Sequence, residues 1–303
     1  MTIANVHKPI MVEEILSFIE GDKPLKVLDC TFGGGGHAKS FLDKGFTVIS
    51  IDKDENAKNI ANDLKKEYKK LFFHQINYKD IETILNSNPE LRFDFVLLDL
   101  GFSSNQLANE SIGISFQINS KLNMNYLDSD LNAYHIINHY DEESLSKIFF
   151  EYGEIFQSKK LANFIVKNRS KKNIETNFEL IELLRDSGVN FRSKKIHFAT
   201  QAFQALRIEC NQELNNLKIF LNKIHRFISN QGYLAILSFH SLEDRIIKNY
   251  FKNNKFSKRG LFHNEQNWGY EILTKKPIIS SNEELKENPR SRSAKLRVGR
   301  FIN

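Results

Sequence analysis

Four short apolar runs in the first hundred residues alternate with segments of helical spacing. Lys26-Val27-Leu28-Asp29 ends in Thr31-Phe32-Gly33 and gives way to a helical pattern through Ala38, Phe41 and Leu42. Thr47-Val48-Ile49-Ser50-Ile51-Asp52 precedes a Lys/Asn-rich helix over 55–68, and Leu71-Phe72-Phe73 leads through Asn77-Tyr78 to a helix over 81–85. Residues 93–100, Phe93-Asp94-Phe95-Val96-Leu97-Leu98-Asp99-Leu100, form the most hydrophobic segment. Nearly continuous apolar strands separated by helices imply a parallel sheet covered on both faces, because each strand buries both of its faces. The alternation then stops. From 111 to 195 the spacing is helical, as in Leu145, Ile148, Phe149 and Leu161, Phe164, Ile165, with loops at 171–173 and 188–195. Strand signals return over 232–239, followed by a helix over 242–251 and weaker strands near 270–274 and 295–301. The pattern predicts an α/β, Rossmann-like domain with a mostly parallel seven-stranded sheet, formed by 1–107 and 196–303 and interrupted by a helical insertion over 108–195.

Composition narrows the class. A chain of 303 residues that is 41% hydrophobic and 26% charged, with 14 Gly and 5 Pro, is neither disordered nor fibrous. Its two cysteines, Cys30 and Cys210, are far apart and no CxxC occurs, so neither a disulfide framework nor a zinc site is expected, and both thiols read as buried structural groups in a reducing cytosol. Glu13, Glu14 and Glu20 break the early apolar stretch, and no run approaches the ~18 apolar residues of a spanning helix. No signal peptide or membrane span is expected, and a cytoplasmic location follows. The net charge of +6 is uneven: residues 1–107 carry −3 and the remainder +9. Two segments concentrate the cations, one with Arg245, Lys248, Lys252, Lys255, Lys258 and Arg259, the other with Arg290, Arg292, Lys295, Arg297 and Arg300. Clusters of this kind favour a polyanionic partner or form a solvated Lys-rich surface.

Gly33-Gly34-Gly35-Gly36-His37 lies between the first strand and the first crossover helix, where glycines let a ligand approach backbone N–H groups at a helix start. Three ligand readings compete. The run from Gly33 to Ser40 nearly matches a phosphate-binding P-loop, with Lys39-Ser40 in place but Ala38 at the second glycine. A P-loop also gives no task to Asp52, which ends the second strand 19 residues after Gly33, the spacing at which a carboxylate accepts from ribose hydroxyls. A dinucleotide dehydrogenase shares Asp52 but requires GxGxxG, which is absent. An adenosyl-methionine site accommodates both the loop and Asp52. Asp99 closes the fourth strand on the ligand-binding edge, where amino-methylating enzymes place a polar motif that accepts from an exocyclic amine; the plainer reading is a cap for the next helix. Phe102 and Phe239 border the pocket and are candidates for stacking on a splayed base. His240 follows the fifth strand and either contacts the target nucleotide or holds the turn over 241–244. Ser241 reads as an N-cap with Asp244 at the capping-box position, which makes Glu243 and Asp244 structural.

These residues and their neighbours resemble the RsmH (MraW) family of small-subunit ribosomal RNA methyltransferases nearly end to end. The resemblance runs through His7-Lys8-Pro9-Ile10, Asp29-Cys30-Thr31-Phe32-Gly33-Gly34-Gly35-Gly36-His37, Leu97-Leu98-Asp99-Leu100-Gly101-Phe102-Ser103-Ser104-Asn105-Gln106-Leu107, Tyr152-Gly153-Glu154, Phe203-Gln204-Ala205-Leu206-Arg207, Ser238-Phe239-His240-Ser241-Leu242-Glu243-Asp244-Arg245 and Asn288-Pro289-Arg290-Ser291-Arg292. It implies a class I S-adenosyl-L-methionine-dependent methyltransferase acting on N4 of a decoding-centre cytidine, cytosine 1402 of 16S ribosomal RNA, within the small ribosomal subunit. It implies cofactor binding by Gly35, Gly36, His37, Asp52, Tyr78, Asp99 and Gln106, with Asp99 also at the reacting amine, and no metal. The insertion, with Lys171 and Lys172 among its cations, is the expected RNA-gripping surface, and a homodimer is left open. The family's usual proline before the glutamine is Asn105 here, and its usual aspartate after the motif is Ala108.

Overall fold

A computed structural model of the chain describes residues 9–19, 24–101, 113, 118–126, 131–191, 197–256 and 267–303. The strands are β1 (Lys26–Asp29), β2 (Thr47–Asp52), β3 (Leu71–Gln75), β4 (Phe93–Asp99), β5 (Ile228–Ser238), β6 (Gly269–Ile272) and β7 (Lys295–Ile302), in the sheet order β3-β2-β1-β4-β5-β7-β6. β1 to β5 pair in parallel, while β7 is antiparallel to both β5 and β6. The fold is the expected Rossmann-like α/β sheet. Successive residues of the central strands feed opposite cores, as a period of two requires. Val27, Phe95, Leu97 and Val298 bury on one side with Phe41, and Leu28, Val96, Leu98 and Ile236 bury on the other with Phe220 and Ile247.

The helices that cover this sheet are α1 (Val12–Leu16), α2 (Gly36–Asp43), α3 (Glu55–Glu67) and α4 (Glu82–Ser87). After them come α5 (Ala133–His139), α6 (Glu142–Glu151), α7 (Ser158–Arg169), α8 (Asn177–Asp186), α9 (Thr200–Asn211), α10 (Glu213–Ile224), α11 (Ser241–Asn253) and α12 (Asn282–Glu287). Local chemistry sets their ends. Asp54 caps α3 by accepting from the Asn56 N–H, and Lys65 and Lys66 sit in its last turn, where the helix dipole favours cations. Thr176 and Glu179 form a reciprocal capping box at the start of α8.

The chain divides into two compact units, Met1–Ser103 with Asn216–Asn303, and Ser104–Asn215. The second reaches beyond the expected insertion end at 195, because Ala202, Phe203, Ala205, Leu206 and Cys210 of α9 bury in the same core as Leu145, Phe149 and Leu161. Two sequence expectations are corrected. β5 begins at Ile228 rather than near 232, because its pairing with β4 jumps from Phe93↔Ile228 to Phe95↔Tyr233 through a bulge. A Cβ on Gly232 would stand 2.8 Å from both Ile228 and Ser229, so the bulge closes only over glycine. At α11 the N-cap is His240, not Ser241, and Glu243 takes the box position assigned to Asp244. The Glu243 carboxylate accepts from the Phe239 N–H at 2.8 Å and the His240 N–H at 3.3 Å, which starts the helix one residue early. Asp244 instead pairs with Arg297 at 2.6 Å and Lys295 at 3.4 Å. Among the described residues no helix is long and apolar enough to cross a membrane.

Candidate active site

β2, β1 and β4 lie side by side, and each ends in an aspartate: Asp52, Asp29 and Asp99. The carboxyl ends of adjacent parallel strands are where open α/β sheets bind ligands. Between β1 and α2 the chain turns through Gly33 at φ 51 and Gly35 at φ 77, left-handed conformations that side chains rarely adopt. A Cβ on Gly35 would stand 2.8 Å from the Phe32 ring and one on Gly36 3.0 Å from Pro9, whereas one on Gly34 would meet nothing within 4 Å. The loop's own path therefore demands glycine at 33, 35 and 36, and Gly34 leaves the backbone open to approach.

The three carboxylates are held differently. Asp52 accepts from the Gly33 N–H through Oδ2 at 2.8 Å and from the Asp54 N–H through Oδ1 at 2.9 Å, pinning the glycine loop to β2. Each of its oxygens keeps a second lone pair for a hydroxyl donor. Burial pushes the Asp52 carboxyl above the usual range, against the pull of those two N–H donors. Asp29 is wholly buried. Its Oδ1 accepts from the Thr31 N–H at 3.2 Å, and its Oδ2 has no hydrogen-bond partner among the described residues. Burial pushes this carboxyl up to about 7, while His37 and the Thr31 N–H pull it down and Asp99 and Asp52 add to the rise. Asp99 donates its N–H to Thr31 Oγ1 at 2.8 Å, and its Oδ1 accepts from the Gly101 N–H at 2.8 Å. Its Oδ2 lies 3.4 Å from His37 Nε2, the side chains being 18% and 9% exposed. His37 Nε2 is buried without a hydrogen-bond partner among the described residues.

Of the residues singled out in the sequence, the structure thus brings Gly35, Gly36, His37, Asp52 and Asp99 together around the first crossover. Tyr78 opens a 3₁₀ turn just beyond β3, half-buried, its ring edge-on to Phe220 at 5.7 Å. Phe239 follows β5 and packs on the turn after β4: a Cβ on Gly101 would stand 2.8 Å from its ring and 2.9 Å from Asp99 Oδ1. The His240 side chain is buried, with Nε2 3.2 Å from Glu243 Oε1. Lys171 and Lys172 are exposed in the turn after α7, and Lys172 pairs with Glu179 at 2.6 Å. Phe102 and Gln106 lie outside the described residues. Asp29 is the member that sequence reading leaves out; its position as the last residue of β1, directly before the glycine loop, is the signal that marks it.

The competing P-loop reading loses its two key side chains. Lys39 donates to Asp43 at 3.1 Å and to the Tyr68 hydroxyl at 2.6 Å, and Ser40 donates back to the Gly36 carbonyl at 3.0 Å. Both cysteines are buried, and burial pushes the Cys30 and Cys210 thiols up, away from the thiolate that nucleophilic attack requires. Part of the basic tail is also spent internally: Arg297 and Lys295 face Asp244, and Arg300 Nε donates to Glu271 at 3.0 Å. Lys258 and Arg259 lie outside the described residues.

Comparison with known proteins gives a consistent match over the whole length. The model of a family described as the MraW methylase family matches residues 4–302. Ribosomal RNA small subunit methyltransferase H of Hydrogenobaculum sp. is 42% identical over 300 residues, covering 98% of this chain and 96% of that protein. The protein of the same name from Brachyspira hyodysenteriae is 39% identical over 300 residues, covering 98% of this chain and 97% of its own. That from Thermotoga neapolitana is 36% identical over 304 residues, covering 98% and 96%.

Proposed function

The chain belongs to the MraW methylase family and is a methyltransferase, and we propose that it uses S-adenosyl-L-methionine to methylate N4 of a cytidine, cytosine 1402, in the 16S ribosomal RNA of the small ribosomal subunit. The names of its relatives support small-subunit ribosomal RNA as the substrate, and with it action in the cytoplasm. The observation that carries the choice of acceptor atom is Asp99 at the end of β4, a partly exposed carboxylate that accepts from the Gly101 N–H, its own N–H being donated to Thr31 Oγ1.

The residues present fit the cofactor. A buried carboxylate oxygen without a partner, Asp29 Oδ2, suits an ammonium donor. The free lone pairs of Asp52 suit the two hydroxyls of a ribose, and the open face of Gly34 gives backbone room. The family resemblance assigns Tyr78 to flank the adenine and Gln106, with Asp99, to complete the pocket. When bound, the sulfonium supplies an activated methyl group with a neutral thioether as leaving group. The task left to the chain is mostly positioning. The amine of cytosine is a poor nucleophile because its lone pair is delocalised into the ring. Asp99 accepts from the amine, favours a pyramidal nitrogen and offsets the positive charge that develops there. Transfer to carbon 5 needs a thiolate adduct with the base, which two buried, proton-retaining thiols do not supply. Phe239 forms one wall beside Asp99 and is the candidate platform for the splayed base, with Phe102. His240 is assigned to the substrate rim. The helical unit, with Lys171 and Lys172, supplies phosphate contacts, so RNA affinity falls steeply with salt.

The test is transfer of labelled methyl from adenosyl-methionine to small subunits lacking this modification, with wild type and Asp99→Ala in parallel. Label in RNA with wild type and none with the variant is the expected result. Equal turnover by Asp99→Ala removes Asp99 from the reaction.

A further inference from the structure

We propose that His37 takes up the proton released when the amine is methylated, receiving it through the Asp99 carboxylate. The proposal rests on the functional reading above. Its structural ground is an unused imidazole nitrogen in the one place such a group is useful: His37 Nε2 is buried, lacks a hydrogen-bond partner among the described residues, and sits 3.4 Å from Asp99 Oδ2. Among the described residues, the other contacts of Asp99 leave that direction clear. Gly101 holds Oδ1 and Thr31 holds the main chain, so Oδ2 is the oxygen turned to the imidazole.

The step balances without a further reactant. The nitrogen lone pair forms the new N–C bond, the S–CH3 bond breaks, and its electron pair stays on sulfur. The nitrogen now carries one hydrogen and one positive charge too many. That proton passes to the Asp99 carboxylate, and from Asp99 to His37 Nε2, leaving a neutral methylated amine and an imidazolium. The imidazolium is stabilised where it forms, between Asp99 and the buried Asp29, whose carboxyl senses the His37 charge. Release of the proton to water follows when product leaves and the site opens.

Proton occupancy of this cluster decides the rate. Among the described residues, the charged groups facing His37 are Asp29 at the end of β1 and Asp99 at the end of β4, with Asp52 of β2 beyond them. On its own helix Lys39 and Asp43 pair with each other at 3.1 Å. A group that must accept a proton is inactive once it carries one, so transfer slows on the acid side.

The experiment is single-turnover transfer to unmodified small subunits at saturating cofactor from pH 5.5 to 9, for wild type, His37→Gln and Asp99→Asn, alongside the dissociation constant of adenosyl-homocysteine for each. For His37→Gln the expected result, at saturating cofactor, is a rate about 100-fold lower at neutral pH and no acid limb; a melting temperature within a few degrees of wild type shows that the variant is folded, and the adenosyl-homocysteine constant registers separately any contact His37 makes with the cofactor. Asp99→Asn interrupts the same relay at its other end, and its residual transfer is expected to be flat with pH as well. An acid limb that persists unchanged in either variant overturns the proposal, as does a His37→Gln loss that saturating cofactor restores. Absence of any transfer by wild type would instead overturn the underlying functional reading.

Discussion

Replacing Asp29 by Asn should make the protein more stable and worse at binding its cofactor. Burial raises this carboxyl from 3.8 to about 7. Between those values the folded chain holds a proton that the unfolded chain has released, so stability falls as pH rises, by about 1.4 kcal/mol per pH unit. Over about three units the ionised carboxylate costs the fold on the order of 4 kcal/mol by pH 7.5, and the cost is absent near pH 4. An asparagine removes the charge and keeps the acceptor for the Thr31 N–H. It leaves an amide N–H₂ where Oδ2 now has no partner, a penalty of about 1–3 kcal/mol. The net gain at pH 7.5 is therefore about 1–3 kcal/mol, a melting-temperature rise of several degrees. Melting scans from pH 4 to 8 should show the gain growing with pH and turning into a loss of about 1–3 kcal/mol near pH 4, where the ionisation cost is absent and the amide penalty remains. The same variant should bind adenosyl-methionine at least tenfold more weakly at pH 7.5, because an ammonium loses its buried counter-charge. A stability difference that does not change with pH, or a variant less stable at pH 7.5 with unchanged binding, would refute the reasoning.

Further perturbations separate the roles of the neighbouring groups. Asp52→Ala frees the Gly33 N–H and removes the acceptor for ribose hydroxyls, so the cofactor dissociation constant measured calorimetrically should rise by at least tenfold; an unchanged constant takes Asp52 out of the pocket. Gly35→Ala forces a side chain into φ 77 and to 2.8 Å from Phe32, and should lower the melting temperature by several degrees, checked by calorimetry. Gly101→Ala pushes on the Phe239 ring and on Asp99 Oδ1, and should slow methyl transfer more than it weakens cofactor binding, as read from single-turnover rates and equilibrium titration. Charge reversal at Lys171 and Lys172 should weaken RNA binding at low salt and flatten its salt dependence; an unaltered salt slope assigns both to solvated surface.

Much of this organisation is legible in the chain before any coordinates. The strand ending at Asp99 is so apolar that only a central position suits it, and it lies between β1 and β5. The glycine run and Asp52, 19 residues after Gly33, are close in space because consecutive parallel strands end side by side. What the sequence conceals depends on burial and on partners far along the chain. Asp29 looks like any strand-end acid until its oxygen is found buried beside His37 and two further carboxylates. Arg297 belongs to a visible basic run yet is buried against Asp244, 53 residues earlier. The helix-forming spacing of Ala202, Phe203 and Leu206 identifies α9 but not the core it joins, which only packing decides. At α11, Ser241 is a good cap by residue type, but Glu243 reaches back to two N–H groups and moves the helix start to His240.

The proposed reaction is methylation of the exocyclic amine of one cytidine in small-subunit ribosomal RNA. Nucleoside mass spectrometry with fragmentation, on unmodified small subunits treated with labelled adenosyl-methionine and the purified protein, tests it most directly. Label in N4-methylcytidine from the decoding centre is the expected result. Label on carbon 5, on a ribose oxygen or on another base would contradict it.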